Sequence, residues 1–201
     1  IGGEGQYKLL QSKVLVIGMG GLGSPLLMYL AAAGIGNITI IDNDNVELSN
    51  LQRQVIHSTQ NIGRPKVDSA KSFIEKINPE IKITKINSRV DADNIIELIA
   101  KQDVIADGSD NFKTRFLVAD TCFKLKKTLI SAAITKYEGQ ISTWKNKKNL
   151  PCYRCLFANE PNDSNINNCS SNGVLGSIGG VFGSLQATEV IKEILNIGSS
   201  L

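Results

Sequence analysis

The stretch VLVIGMGGLGSPLLMYLAAAGIGNITIID, residues 14–42, decides how this chain folds. A short apolar run meets a glycine-rich turn, a helix-like stretch follows, and a second apolar run ends on Asp42. This order predicts a strand, a turn, a helix and a second strand. Glycines let backbone N–H groups approach a phosphate, and an acidic residue at the tip of the second strand suits a ribose. The stretch therefore predicts that an adenine nucleotide binds at Gly18-x-Gly20-Gly21-x-Gly23 and Asp42.

Beyond this unit, apolar β-branched runs alternate with helical patterns, which is typical of parallel strands joined by helical crossovers. We expect strands at 13–17, 37–41, 82–87, 103–106, 128–132 and 140–144. We expect helices at 22–33, 65–77, 93–100, 112–124 and 184–195. The prediction is an α/β, Rossmann-like, doubly wound and mostly parallel sheet with helices on both faces and an antiparallel extension toward the C-terminal part. We expect a single adenine-nucleotide-binding domain over residues 1–201, trimmed at both ends, since the chain starts at Ile1.

Composition narrows the function classes. A net charge of +3 is too weak to indicate a nucleic-acid partner, and no apolar run is long enough to span a bilayer. Four cysteines in 201 residues do not suggest a disulfide framework, so we expect a reducing, cytoplasmic setting. The one histidine, His57, is expected to be structural or on the surface.

Two cations follow the glycine turn. Arg53 lies in a polar stretch after the second strand, and Lys66 follows Pro65 at an expected helix start. A cation in a first helical turn is electrostatically unfavourable unless an anion lies nearby. Both residues are therefore candidate triphosphate ligands, and the alternative is that both are solvated surface residues.

Asp110 follows the fourth expected strand, at the edge where open α/β sheets place their ligands. Its carboxylate suits Mg²⁺, which prefers hard oxygen ligands together with phosphates. It could equally cap the helix that starts near Phe112, and both roles can coexist. Arg115, one turn further on, is placed to pair with an acid or a phosphate.

Taken together, these patterns resemble the MoeB/ThiF/HesA family, relatives of the ubiquitin-activating enzymes. The resemblance covers nearly the whole chain. It is carried by Gly18-x-Gly20-Gly21-Leu22-Gly23, Asp42-x-Asp44-x-Val46-x-x-Ser49-Asn50-Leu51-x-Arg53-Gln54, Gly63-x-x-Lys66, Asp110-Asn111-Phe112-x-Thr114-Arg115, Cys152-x-x-Cys155 and Gly183-x-x-Gln186-Ala187-x-Glu189.

The resemblance implies an adenylyltransferase that uses ATP and Mg²⁺ to activate the C-terminal Gly-Gly carboxylate of a ubiquitin-like sulfur carrier, releasing pyrophosphate. The carrier would be of the molybdopterin or thiamin type. Catalytic roles fall to Arg53, Lys66 and Asp110, with Asp110 also holding Mg²⁺. The implied nucleotide-binding residues are Gly18, Gly20, Gly21, Gly23, Asp42, Asp44, Ser49, Asn50, Leu51, Gln52, Arg53, Gln54, Lys66, Asp110 and Asn111.

The cysteines divide into three kinds. Cys122 is expected to be inert core. Cys152-x-x-Cys155 is half of a Cys₄ zinc site, and in the family a second pair completes it; here such a pair would have to lie beyond Leu201. A thioredoxin-like redox pair is less favoured, because the motif does not read as opening a helix after a strand. Cys169, in the polar stretch 159–172, matches a cysteine that in some members joins the carrier in a later transfer step.

The resemblance also implies a homodimer with shared active sites. Members normally carry an Arg-Gln pair a few residues before the stretch that starts at Gly3, and that arginine reaches the partner's nucleotide. The apolar, Gly-rich residues 174–185 could supply interface surface. Two other functions stay open: an NAD(P)-dependent oxidoreductase, the commonest user of such a glycine turn, and a degenerate ATP-binding scaffold.

Overall fold

The computed structural model describes residues 1–161 and 173–201. Its strands are β1 Lys13–Ile17, β2 Asn37–Ile41, β3 Lys82–Ile86, β4 Val104–Asp107, β5 Thr128–Thr135 and β6 Glu138–Trp144. Its α-helices, numbered over the described residues, are α1 Gly2–Gln11, α2 Gly23–Ala32, α3 Lys66–Ile77, α4 Ile95–Ala100, α5 Phe112–Lys124, α6 Tyr153–Leu156 and α7 Gly176–Leu195. Short 3₁₀ turns lie at Leu48–Asn50 and Thr59–Asn61.

The strands form one sheet in the order β3-β2-β1-β4-β5-β6, in which β1 to β5 are parallel and β6 runs antiparallel to β5. This confirms the predicted doubly wound sheet and its antiparallel extension. The chain first builds outward from β1 to β3 and then returns to add β4 on the other side of β1. At the carboxyl end of β1, Ile17 pairs with Ile41 on one side and Asp107 on the other. A crevice at such a reversal of strand order is where open α/β sheets bind ligands.

Both faces of the sheet are buried, which explains the continuous apolar strands. Val14 and Val16 of β1 face a core with α1, α2, α3 and α7, whereas Leu15 and Ile17 face a core with α4, α5 and α6. Successive side chains of a strand point to opposite faces, so an unbroken apolar run is what a doubly covered strand requires.

Most predicted elements are present with small boundary shifts, but α1 and α6 were missed and α7 begins eight residues before the predicted start. Leu9 anchors α1 in the core, and the Gln6 amide donates to the Ala33 carbonyl at 2.9 Å. Glycine-rich segments have poor helix propensity, so both α1 and the start of α7 depend on tertiary packing that local pattern does not report.

The added turns of α7 use their glycines for contact. A Cβ atom would lie 2.3 Å from the Gln52 carbonyl oxygen if built on Gly176, 2.8 Å from that of Gly21 if built on Gly179, and 2.4 Å from that of Leu22 if built on Gly183. Helix α7 therefore lies directly against the glycine turn and the segment that follows β2. No helix in the described ranges is both long and apolar enough to cross a bilayer.

Candidate active site

A cleft of about 480 Å³ lies at the carboxyl ends of β1, β2 and β4. Eleven of the predicted nucleotide-binding residues line it: Gly18, Gly20, Gly21, Asp42, Asp44, Asn50, Arg53, Gln54, Lys66, Asp110 and Asn111. The other four, Gly23, Ser49, Leu51 and Gln52, belong to the segments that support its wall. Sequence reasoning missed Ser88, Arg89 and Val90 after β3, which also line the cleft. Because β3 is parallel to β2, the loop after β3 lies at the same edge of the sheet as Asp42, and this rule could have predicted its place in the cleft.

The glycine turn is held by close backbone contacts. Gly18 has φ +86°, a conformation that favours glycine, and a Cβ on Gly23 would lie 1.9 Å from the Gly18 carbonyl oxygen. Helix α2 starts at Gly23, and its N-cap residue Leu22 makes no side-chain capping bond within the described part of the chain. In the first turn of α2 the Ser24 N–H already donates to the Gly20 carbonyl at 2.9 Å and Pro25 has no N–H, so an anion at this end would be held by N–H groups of the glycine turn itself.

Asp42 ties the glycine turn to the tip of β2. Its Oδ2 accepts the Met19 N–H at 2.7 Å, and its Oδ1 accepts the Asp44 N–H at 2.8 Å. Burial raises the pKa of this carboxyl, opposed mainly by the positive charge of Lys66. A carboxylate has about four acceptor sites, so each oxygen can still accept another hydrogen bond.

Lys66 is the first residue of α3, and the anion beside it in the structure is a carboxylate of the same chain, whereas the sequence predicted a triphosphate. Its Nζ lies 2.7 Å from Asp44 Oδ2, and the Lys66 side chain is 7% exposed against 58% for Asp44. The alternative of a solvated surface lysine is therefore wrong. Pro65 is the N-cap residue, one position earlier than the first helical position that the sequence suggested.

Arg53 belongs to a polar network centred on Asn50. Asn50 Oδ1 accepts bonds from Arg53 Nη2 at 3.3 Å and Gln54 Nε2 at 2.8 Å, and Arg53 Nη1 also donates to the Ser49 carbonyl. Two buried oxygens on the cleft lining, Gln54 Oε1 and Ser109 Oγ, have no hydrogen-bond partner among the described residues. Such orphaned groups are costly and commonly indicate a ligand or water.

The helix cap at α5 is Asn111, not Asp110. Asn111 Oδ1 accepts the Thr114 N–H at 2.9 Å, whereas Asp110 is exposed at the cleft rim just before the cap. The capping role considered for Asp110 is therefore wrong. The reason is positional, since the cap is the residue directly before the first helical residue, and an Asp-Asn pair offers two adjacent candidates.

Arg115 clamps the loop that carries Asp110. Its Nε and Nη2 donate to the Ser109 carbonyl at 3.0 and 2.7 Å, and its guanidinium lies 5.5 Å from the centroid of the Phe112 ring. Below this loop, the Asp107 carboxyl is buried and accepts the Ser109 N–H at 2.9 Å. Burial raises the pKa of Asp107, and the charge of Arg115 opposes this shift.

A second cavity of about 880 Å³ opens on the β5–β6 side, and the sequence did not predict it. Asp110 and Arg115 line both cavities, so the two adjoin at the α5 amino end. Aromatic rings form much of its wall, from Phe112, Trp144, Tyr153, Phe157 and Phe182. The indole Nε1 of Trp144 is buried and has no partner within the described ranges.

The cysteine pair lies at a short helix. Cys152 is the N-cap residue of α6, and the Sγ atoms of Cys152 and Cys155 are 3.2 Å apart as free thiols. The argument that this motif opens no helix was therefore wrong, although α6 has only four residues and a loop separates it from β6. Hydrogen bonds from the Cys152 backbone and side chain lower the pKa of Cys155. Among residues 1–161 and 173–201, no three His, Cys, Asp or Glu side chains gather to hold a metal.

Three further predicted residues have different outcomes. His57 is buried between the Ser69 hydroxyl at 2.8 Å and the Met19 carbonyl at 3.0 Å, which confirms a structural role. Cys122 is fully buried, and burial raises the pKa of its thiol well above its usual range, as expected of inert core. Cys169 lies outside the described residues, so its transfer role stays a prediction.

Comparison with known proteins agrees with the family resemblance that the sequence motifs carry. The ThiF family matches residues 1–201. The chain is 45% identical over 201 residues to the SAMP-activating enzyme E1 of Haloferax volcanii, covering 100% of this chain and 74% of that protein. It is 46% identical over 195 residues to the adenylyltransferase and sulfurtransferase MOCS3 of Culex quinquefasciatus, covering 97% of this chain and 44% of that one.

The solved structure of E. coli MccB superimposes with a TM-score of 0.86 at 25% identity, covering 98% of this chain and 58% of MccB. The chain thus spans most of the Haloferax relative but less than half of the MOCS3 relative. The two curated relatives are named as an activating enzyme and an adenylyltransferase, which favours the adenylyltransferase prediction over the oxidoreductase alternative. By the match over its whole length, this chain belongs to the ThiF family.

Proposed function

We propose that this chain adenylates the C-terminal carboxylate of a ubiquitin-like carrier protein with ATP. The single observation that carries the proposal is the cleft in which the glycine turn, Asp42, Lys66, Arg53 and Asp110 meet. The names of the relatives support the partner class, since an E1 enzyme activates small proteins of the SAMP type.

The residues of the cleft fit ATP. Asp42 retains acceptor capacity for ribose hydroxyls, and backbone N–H groups of the glycine turn before α2 are the candidate donors to phosphate. Lys66 and Arg53 add positive charge on the same wall. The orphaned Gln54 and Ser109 oxygens can accept hydrogen bonds from a ligand or its ordered water. A solved MccB structure with ATP has the same fold, at a TM-score of 0.82 and 25% identity.

Asp110 is the residue that would hold Mg²⁺. Its carboxylate is exposed at the rim, and it is free of the capping bond that Asn111 makes. One carboxylate combined with phosphate oxygens and water is a usual magnesium environment. When bound, Mg²⁺ would neutralise charge that develops on the phosphates.

The reaction needs positive charge more than a base. A carboxylate oxygen of the carrier attacks the α-phosphorus, an acyl–phosphate bond forms, and the bond to the β-phosphate oxygen breaks to release pyrophosphate. The nucleophile is already ionised at neutral pH, so no proton has to be removed. Lys66 and Arg53 offset the repulsion between the carboxylate and the phosphates, an effect strongest where charge develops.

The aromatic cavity is where the carrier's C-terminal tail would lie. It adjoins the nucleotide cleft at Asp110 and Arg115, so a tail in it would bring its carboxylate to the α-phosphate. A Gly-Gly terminus would let the carboxylate approach the nucleotide, because residues without side chains can pass close to the loop that Arg115 clamps.

The finer assignments belong to the same proposal. The carrier is a sulfur carrier of molybdopterin or thiamin biosynthesis, and the enzyme is a cytoplasmic homodimer. Arg115 spends two donors on the Ser109 carbonyl, which leaves Arg53, Lys66 and the exposed Arg89 as the cleft cations for about four negative charges on ATP. An arginine from a partner subunit would offset this deficit. Cys152 and Cys155 would supply half of a zinc site.

ATP–pyrophosphate exchange tests the proposal. We expect exchange that depends on a carrier ending in Gly-Gly, with a carrier lacking the last glycine as the matched control. Exchange absent with all sulfur carriers of both pathways, in protein that binds ATP, would reject the adenylation claim and favour a degenerate ATP-binding scaffold. Binding of reduced nicotinamide in place of ATP would instead favour the oxidoreductase.

A further inference from the structure

Asp44 and Lys66 are joined through both backbone and side chain. The Lys66 N–H donates to the Asp44 carbonyl at 2.9 Å, and the Lys66 ammonium lies 2.7 Å from Asp44 Oδ2. Two further backbone bonds brace the segments that carry them, from Val46 to the Arg64 carbonyl and from Gly63 to the Val46 carbonyl, both at 2.9 Å. The spacing between the two residues is therefore fixed by an antiparallel pairing rather than by the ion pair alone.

Asp44 is in turn fixed to the glycine turn. Asp42 accepts the Asp44 N–H with one carboxylate oxygen and the Met19 N–H with the other. A continuous set of hydrogen bonds thus runs from the turn through Asp42 and Asp44 to the ammonium of Lys66. This set fixes the lysine with respect to the turn that would hold the phosphates.

Because Lys66 is buried, its ammonium group needs a hydrogen-bonding partner of opposite charge. The Lys66 side chain is 7% exposed, and a buried ammonium without a partner is strongly unfavourable. An ammonium has three donors, and Asp44 engages one, so two remain for phosphate oxygens. Asp44 is itself 58% exposed, so its charge is well solvated and repels an incoming phosphate less than a buried carboxylate would.

We propose that Asp44 is a positioning residue for Lys66: it holds the charged side chain against the cleft wall and acts on the nucleotide only through that lysine. This inference rests on the proposed function, because it takes Lys66 as a triphosphate ligand. It gives Asp44, predicted from the family resemblance as a nucleotide-binding residue, a role that needs no direct contact with the nucleotide.

A double-mutant cycle tests the inference. The dissociation constant of the non-hydrolysable analogue α,β-methylene-ATP is measured by calorimetry for the wild type, Asp44→Ala, Lys66→Met and the double variant. We expect Asp44→Ala to weaken binding about 10-fold in the wild-type background and less than about 2-fold in the Lys66→Met background, since contacting residues couple at this scale. We expect Asp44→Glu to recover part of the loss.

Each other outcome counts against the inference. An equal loss in both backgrounds would mean that Asp44 acts on the nucleotide directly, and unchanged or tighter binding by Asp44→Ala would mean that it does not position Lys66. Asp68→Ala is the matched control. Asp68 lies on the first turn of α3, as Lys66 does, but it pairs with Lys85 of β3 and does not line the cleft. This substitution should leave nucleotide binding unchanged. If Asp44→Ala fails to fold, Asp44→Asn replaces it with the same expected coupling.

Failure of the inference differs from failure of the proposed function. A wild-type protein that does not bind the analogue would contradict the function itself. Binding with additive effects of the two substitutions would leave the function standing and remove only the role of Asp44.

Discussion

The nucleotide cleft and the aromatic cavity share Asp110 and Arg115, yet they are built in different ways. Residues 18–66 supply the glycine turn and seven of the fourteen polar side chains that line the cleft, and the other seven follow β3 and β4. The cavity takes its wall from α5, the β5–β6 hairpin, α6 and α7, which are far apart in sequence. The half of the cleft that carries the sequence motif is readable from a pattern, whereas a cavity made entirely by distant elements appears only after folding.

The two regions also differ in what holds them. The cleft depends on backbone conformation, with a positive φ at Gly18 and a close approach at Gly23. The cavity depends on side-chain packing, such as the edge-to-face contact of Tyr153 with Phe116 at 5.3 Å. Backbone geometry tolerates almost no added atoms, while buried and half-buried side chains can repack around another partner. We therefore expect substitutions in the cleft to change nucleotide binding and substitutions in the aromatic cavity to change carrier binding.

The largest effect is expected from Gly23→Ala. The new methyl group would lie 1.9 Å from the Gly18 carbonyl oxygen, a backbone atom that cannot yield without opening the turn. We expect loss of nucleotide binding and a free energy of unfolding lower by about 3 kcal/mol, measured by calorimetry and urea denaturation.

Gly180→Ala is the matched control for that variant. Gly180 lies in α7, and a Cβ there meets nothing within 4 Å in the described structure, so alanine should raise stability by about 1 kcal/mol. A Gly23→Ala protein that still binds nucleotide would show that the turn is more adaptable than its contacts imply.

Asp110→Asn should slow carrier-dependent exchange by roughly 10²-fold at limiting Mg²⁺, the scale of losing one electrostatic contact in the transition state. Because Asn111 is the cap, stability should stay unchanged. Asn111→Ala should instead cost about 1 kcal/mol of stability through loss of the bond to the Thr114 N–H. Exchange rates for Asp110→Asn that match the wild type at every Mg²⁺ concentration would remove the metal role.

Leu156→Ser tests the cavity apart from the cleft. Leu156 is exposed and lines the aromatic cavity, so its loss should raise the KM for the carrier by roughly 5- to 10-fold, the range of a moderate interface contact, while leaving nucleotide affinity unchanged. Leu10→Ser, at another exposed leucine, on α1 and outside both cavities, should change neither quantity. An altered nucleotide affinity with an unchanged carrier KM would break the division between the two regions.

The smallest effect concerns pH. Burial lowers the pKa of His57 below its ordinary value of 6.5, so between that value and the lowered one the unfolded chain binds more protons than the folded chain. Stability should be fully present above pH 6.5 and fall as the pH drops below it. His57 is the sole histidine, so His57→Gln should flatten this slope in unfolding measured from pH 7.5 to 5.5. An identical slope in both proteins would assign the acid sensitivity elsewhere.

The raised pKa values of Asp42 and Asp107 act in the opposite direction. A carboxyl whose folded pKa is raised favours the folded state below its ordinary value of 3.8, and this contribution is lost as the pH rises through the folded pKa. Both carboxyls are present in the wild type and in His57→Gln, so their contribution cancels when the two slopes are compared.

Much of the fold was predictable because the strands are apolar on both faces and the helices between them have clear limits. The failures were at glycines and at paired polar residues. The start of α7 reads as a flexible glycine-rich segment, yet its glycines exist for contact with Gln52, Gly21 and Leu22. Similarly, the sequence indicated that Lys66 needs an anion but could not say that Asp44, 22 residues earlier, supplies it. Such pairings depend on distances that only the folded chain sets.

The contact between α7 and the glycine turn also has a consequence for how the protein is made. A chain emerging from the ribosome carries every cleft-lining residue except Val174 once β6 has formed, because the rest lie between Ile17 and Ile134. The turn at residues 18–23 nevertheless lacks the helix it rests on until residues 176–183 have been synthesised. Contacts between such distant parts of a chain form late and slowly. Capture of nucleotide should therefore follow the synthesis and docking of α7, after the sheet is complete.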